Sequence, residues 1–225
     1  GSAALPPLGE QRMRTLATLS RTVLNPVELV IILTALGGGS GSGAAPEFAR
    51  QAKRKGAIVL SIAALPFQCQ PVRRKIAEGV IEKLEQHSDV CVRLSLDRLA
   101  WQARERGVDW KEGAAWIEEL IEGLVKTVSS IGLINLDLMD LRSIVKFRGE
   151  STLLVSEGNP DDAEQLFTSA MNAPLFDLHI KGAKGCLLQI EGGAGMTVSQ
   201  VDSVADAFTK GLHEDAQVIL GARVS

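Results

Sequence analysis

A chain of 225 residues with 45% hydrophobic and 23% charged side chains has the length for one large α/β domain or two smaller ones. A formal charge of −3, with only the short basic clusters Lys53-Arg54-Lys55 and Arg73-Arg74-Lys75, excludes an electrostatic grip on nucleic acid and predicts solvated helix faces there. Three cysteines (Cys69, Cys91, Cys186) without C-x-x-C spacing exclude a disulfide frame and a zinc site, and they predict a reducing, cytoplasmic setting. With no signal peptide, lipidation motif or transmembrane span in view, direct membrane insertion is not expected.

In chain order, Gly1 to Leu8 reads as a loop, and Glu10 to Val23 as a helix carrying Met13, Leu16, Leu19 and Val23 at helical spacing. Asn25-Pro26 stops it. The run Val27 to Leu36 is β-branched and predicts a buried central strand. It feeds Gly37-Gly38-Gly39-Ser40-Gly41-Ser42-Gly43, after which Pro46 and good helix formers predict a helix ending at Gly56. Strand, glycine turn and helix start together make an anion cradle: glycine permits close backbone approach, the helix offers unpaired N–H groups, and Ser40 and Ser42 add hydroxyls. Composition alone would also suit a flexible linker, but the position between a buried strand and a well-signalled helix argues for the cradle.

Ala57 to Ala64 predicts a second strand, Val72 to His87 a helix and Val90 to Leu94 a third strand. That alternation predicts a parallel sheet covered on both faces, with ligands beyond the carboxyl ends of its strands. Arg98 to Arg106 is a short predicted helix. Asp109 to Ser130 is the longest periodic segment, a helix of about 30 Å able to connect two lobes. Leu133 to Asp140 alternates apolar and polar residues before a helical pattern over Leu141 to Phe147. Beyond Gly149 come a strand (Ser151 to Ser156), a helix (Asp161 to Asn172), a strand (Lys184 to Glu191), the turn Gly192-Gly193-Ala194-Gly195, a helix (Thr197 to Leu212) and a closing strand from Ala216 to Gly221. The Gly192 turn is a rival anion site by composition, but the polar end of the strand before it favours a structural turn. The boundaries are thus 1–108 for a ligand-binding lobe, 109–131 for a connecting helix and 132–225 for a smaller α/β lobe.

Gly37 to Pro46, Gly-Gly-Gly-Ser-Gly-Ser-Gly-Ala-Ala-Pro, resembles the signature loop of the tubulin/FtsZ family, with serine in place of threonine. Pro66-Phe67 followed by Arg73-Arg74 is similar to the family's Pro-Phe segment and its basic end. Asn135-Leu136-Asp137-Leu138-Met139-Asp140-Leu141-Arg142 resembles the synergy loop, and Gly1 to Gly9 the glycine loop before the signature. The resemblance implies a Rossmann-like, parallel-sheet GTPase lobe, a central helix and a smaller lobe. It also implies cell-division assembly: GTP bound at the strand ends, subunits stacked head to tail, and GDP produced when one subunit's synergy loop meets its neighbour's nucleotide, with Mg2+ as the accompanying cation. By position, Gly37, Gly38, Gly39, Ser40, Gly41, Ser42, Gly43 and Arg74 would hold the nucleotide. Asp137 and Asp140 would be the catalytic acids, supported by Asn135. Helix capping is the plainer role for either acid.

The sequence also departs from the family pattern. Gln70 stands where a glutamate contacts ribose, Leu96 where an asparagine is usual, and Ala114 or Ala115 where a polar side chain reads the guanine edge. A site built to hydrogen-bond a ligand loses selectivity steeply when such groups go. The family's opening strand and first glycine-rich loop have no counterpart, which implies a divergent or N-terminally truncated member. A second function therefore stands beside the first: a nucleotide-independent, FtsZ-like structural or regulatory protein that binds or caps FtsZ-type polymers.

Overall fold

The computed structural model describes residues 2–105, 107–109, 118, 121–122, 125, 138–147, 149, 151–152, 154, 156–172 and 180–224. The chain divides into two compact units: Gly1–Trp101 with Arg148–Ser151, and Gln102–Phe147 with Thr152–Ser225.

In the first unit, β1 (Leu29–Ala35), β2 (Ile58–Leu65) and β3 (Val90–Ser95) form a parallel sheet in that order. Pairing runs Ala35 to Ala64 and Leu65 to Ser95, so the three carboxyl ends finish level. Between the strands run α3 (Gly39–Arg54) and α4 (Pro71–His87), and α5 (Leu96–Glu105) follows β3 directly. Val30, Ile32, Val59 and Ala63 on the sheet pack with Ala45, Ala49 and Ala52 of α3 and with Val80, Ile81 and Leu84 of α4. Each large aliphatic side chain so buried contributes about 1.5–3 kcal/mol, more than an exposed pair such as Arg14–Glu10 can add, so the sheet rests on this core. On the other face of β1, Leu33 is 57% exposed.

The N-terminal region differs from its expected form. Pro6 opens α1 (Pro6–Thr15) where a loop was expected, its fixed φ suiting a first helical position. A break at Leu16 then separates α2 (Ala17–Val23), so the expected single helix is two. The larger correction concerns α3, which begins at Gly39 and not at Pro46, leaving Pro46 inside the helix. The glycines explain this. A Cβ on Gly43 would lie 2.6 Å from the Glu10 nitrogen and 2.9 Å from the Gly9 Cα, and one on Gly41 would run into the Ala35 carbonyl. Gly39, Gly41 and Gly43 thus let α3 approach α1 and the end of β1 at backbone distance, and tertiary packing overrides their poor helix propensity.

Glu47 locks this packing. It is 4% exposed and accepts from Arg50 at 2.9 and 2.6 Å and from Gln51 at 2.9 Å, with Arg14 of α1 at 3.5 Å. The Arg50 hydrogen bond leads the causes that hold its carboxyl down at about 2, against the opposing effect of burial. Ser20 of α2 in turn donates to Gln51.

In the second unit, β4 (Gly185–Gly192) and β5 (Gln217–Val224) pair in parallel, Gly185 opposite Gln217. Helices α6 (Leu138–Ile144), α7 (Ala163–Asn172) and α8 (Val198–Thr209) belong to the same unit. Ile144, Ile219 and Leu187 form a small cluster, and Phe167 meets Phe208 edge to face at 5.4 Å, joining α7 to α8. The strand expected over Ser151 to Ser156 is reduced, among the described residues, to a bridge between Ser151 and Val92. Most of the expected helix 109–131 lies outside the described residues; within it, 118, 121, 122 and 125 are helical.

Candidate functional site

The level strand ends bring three turns to one edge of the first unit: Leu36–Gly38 into α3, Pro66–Gln70 into α4, and the passage from Ser95 into α5. Leu36 N–H donates to the Ala64 carbonyl at 2.9 Å, carrying the pairing one residue past β1. Gly37 then turns with φ +91°, and a Cβ there would come within 2.8 Å of Pro66 and Arg73, so only glycine lets the first two turns touch. Gln68 N–H donates to Asp97 Oδ2 at 2.9 Å, which ties the second turn to the first turn of α5.

Both α3 and α4 start here in the same way. Gly38 and Gln70 are their N-caps, no side chain caps either helix, and neither first turn holds an acid. The first N–H groups of each helix therefore face the edge with their dipole uncompensated, and α4 adds Arg73, Arg74 and Lys75. Gly38 has open space around it. This corner is electropositive and suited to an anion.

The two serines expected in the cradle separate. Ser40 is exposed, whereas Ser42 is 2% exposed and accepts from Gly37 N–H at 2.9 Å, so its oxygen holds the turn from within. Of the glycines, Gly39, Gly41 and Gly43 serve helix packing on one side, while Gly37 and Gly38 form the turn itself. Arg74, partly exposed, lies one turn from the exposed Glu78, 3.8 Å away. Gln70 is half-buried, its carbonyl accepting from Arg74 N–H at 3.0 Å, and Leu96 opens α5.

A neighbour not foreseen from the sequence joins them. Ser2, 3% exposed, sets its hydroxyl 2.8 Å from that of Ser40. The Ser2–Leu5 turn, closed by Leu5 N–H donating to the Ser2 carbonyl at 2.8 Å, holds Ala3 and Ala4 at φ 48° and 57°. Left-handed alanine costs about 1–2 kcal/mol per residue, and seating on Gly39 is what keeps this turn in place. The sequence signal was the resemblance of Gly1 to Gly9 to a glycine loop, which did not single out Ser2.

Asp140 is exposed in the first turn of α6, and its carbonyl accepts from Ser143 at 2.6 Å. Asn135, Asp137, Ala114 and Ala115 lie outside the described residues. The rival glycine turn is structural: Met196 N–H donates to Gly193 at 2.9 Å, a Cβ on Gly192 would meet Met196, and the Thr197–Gln200 capping box satisfies the start of α8. Cys69 is exposed in the turn before α4, whereas burial pushes the Cys91 thiol up to about 12 and also raises that of Cys186. Among the described residues no helix is long and apolar enough to cross a membrane, and no group of three or more His, Cys, Asp or Glu side chains could hold a metal ion.

Residues 1–102 match the GTPase domain of the tubulin/FtsZ family, and residues 149–225 match the C-terminal domain of the FtsZ family. The whole chain is 32% identical to cell division protein FtsZ 2 of Halobacterium salinarum, covering 58% of that relative. It is 29% identical to cell division protein FtsZ of Methanothermobacter thermautotrophicus, covering 60%. The chain thus spans less than two thirds of the length of these curated relatives. Among solved structures, an empty FtsZ dimer from M. jannaschii superposes with a TM-score of 0.88 at 28% identity, over all of this chain and 67% of the other. CetZ from Methanosaeta thermophila, at 17% identity and a TM-score of 0.75, shares the fold over all of this chain and 66% of its own.

Proposed function

The chain belongs to the tubulin/FtsZ family, and from that premise we propose that it binds GTP at the edge where α3 and α4 begin and works in cell-division assembly. The observation that supports this best is the meeting of two helix starts without side-chain caps or acids over level strand ends. Phosphates would receive N–H groups from the turn after Gly38 and the exposed Ser40 hydroxyl. Mg2+ would offset phosphate charge and polarise a bound oxygen; Ser40 offers the hydroxyl suited to it, and the nucleotide would supply most other ligands.

Residues 1–108 would form the nucleotide lobe, 109–131 the connection and 132–225 the lobe that completes a neighbour's site. In a head-to-tail stack of chains in the cytoplasm, Asp137 and Asp140 of one subunit would orient water against the γ-phosphate of the next, with Asn135 supporting their loop. Such a shared site makes turnover per subunit rise steeply with protein concentration. Phosphate release across a concentration series, with Asp137→Ala and Asp140→Ala alongside, tests this; flat turnover or active variants would remove the shared-site reading. Calorimetry with GTP, using ATP as the control, tests the binding step.

A second reading has its own support. Gln70 carries no charge, and Asp97 already accepts from the Gln68 N–H, so two side chains that would face a ribose or base are neutral or engaged. A nucleotide-independent protein that binds or caps FtsZ-type polymers would show no GTP binding, yet would sediment with an active polymer.

A further inference from the structure

Burial gives the Ser2–Ser40 pair a direction. Ser2 is 3% exposed, and among the described residues its hydroxyl meets one partner, the Ser40 hydroxyl at 2.8 Å. Were Ser40 the donor, the Ser2 hydrogen would be buried without an acceptor, at the full desolvation penalty of a hydroxyl. Ser2 is therefore the donor and the Ser40 oxygen the acceptor. The hydrogen left over belongs to Ser40, which is exposed next to the open space around Gly38.

The backbone supports this arrangement under strain. The Ser2–Leu5 turn holds Ala3 and Ala4 left-handed, and a Cβ on Gly39 would lie 2.6 Å from the Ser2 oxygen, so the turn seats its serine directly on the first turn of α3. An exposed serine gains from such a neighbour. With one substituent on Cβ its hydroxyl takes any of three χ1 settings, whereas a β-branched threonine is restricted by its own methyl group.

We infer that Ser2 is a positioning residue of the candidate site: it donates to Ser40, fixes the Ser40 rotamer and turns the Ser40 O–H outward toward the bound anion. The inference rests on the nucleotide reading above and adds to it a buried residue that itself touches no ligand. A hydroxyl that accepts one hydrogen bond is polarised toward donating the next, so two aligned O–H groups make Ser40 a better donor than it would be alone.

A double-mutant cycle on the full chain tests this, with wild type, Ser2→Ala, Ser40→Ala and the two substitutions combined. Each is titrated with GTP and, separately, with inorganic tripolyphosphate, and thermal unfolding is followed in parallel. Ser40→Ala should weaken both ligands about tenfold and Ser2→Ala about fivefold. In the Ser40→Ala background, Ser2→Ala should cost less than about 1.5-fold, since the hydroxyl it orients is gone. Ser40→Thr added to Ser2→Ala should recover most of the loss, the β-branch taking over the rotamer, a rescue that a merely structural Ser2 would not give. Should Ser2→Ala not fold, Ser2→Cys, close to serine in shape but a weak donor, takes its place in the cycle. Wild-type affinity in Ser2→Ala, or the same fivefold loss with and without the Ser40 hydroxyl, would overturn the assignment. If the wild type binds tripolyphosphate but not GTP, the nucleotide reading fails while the cycle is still read on tripolyphosphate. Binding of neither ligand would overturn both.

Discussion

Two glycine turns lead from a parallel strand into a helix, one after β1 and one after β4, and they are built to opposite ends. After β4, the Thr197 hydroxyl and the Gln200 side chain exchange hydrogen bonds with the backbone at the start of α8, and Met196 fills the space beside Gly192. After β1, a Cβ on Gly38 would meet open space and the start of α3 has no side-chain cap. Glycine content does not separate an anion cradle from a turn. What separates them is whether the helix's first N–H groups have already been claimed.

That comparison can be broken most forcefully at Gly41. Gly41→Val would drive a side chain into the Ala35 carbonyl and should cost more than about 3 kcal/mol, abolishing the cooperative melt of the first unit. Gly193→Ala has open space and should shift stability by less than about 0.5 kcal/mol. Equal melting temperatures for the two variants would remove the packing account of the first turn.

Acid titration reaches the same helix from its buried side. The Glu47 carboxyl is lowered from 4.5 to about 2, so the stability it contributes is fully present above pH 4.5 and lost as pH falls toward 2. The amount is about 3 kcal/mol. Urea melts at pH 6 and pH 3 should differ by less in Glu47→Gln than in the wild type; an unchanged difference would show that the network does not hold α1 to α3.

Gly38→Asp sharpens the contrast by giving α3 the cap it lacks. Gly38 has φ −108° and room for a side chain, so the variant should melt slightly higher, yet bind GTP at least about tenfold more weakly as its carboxylate takes the N–H groups and repels phosphate. Unchanged binding would place the anion elsewhere. Last, Thr197→Ala removes a real cap and should cost about 1 kcal/mol with GTP affinity unaltered, read by melting and calorimetry together.

The alternation of apolar runs and amphipathic segments made the three-stranded parallel sheet legible, because β1 and β2 are largely apolar runs, β3 carries Val90, Val92 and Leu94, and α3 stops at Gly56. The start of α3 was not legible. Propensity places glycines outside a helix and proline at its opening, and only the approach of Gly9 and the β1 carbonyl end explains the reverse. For the same reason Ser40 and Ser42 look alike in sequence and part in space, one exposed and one beneath the turn. Ser2 was missed because its partner lies 38 residues on, and no local pattern encodes that contact. Arg73 and Arg74 are adjacent letters, whereas the helical repeat sends them to different faces.

The arrangement of the thiols has a practical consequence for all of these measurements. Cys69 is exposed in the turn before α4, while Cys91 and Cys186 are partly buried and their thiols are harder to ionise. A maleimide dye at near-neutral pH should therefore attach to Cys69 first, without any engineered cysteine. The natural chain carries its own labelling point at the rim of the candidate site, where a fluorophore would report each binding event directly.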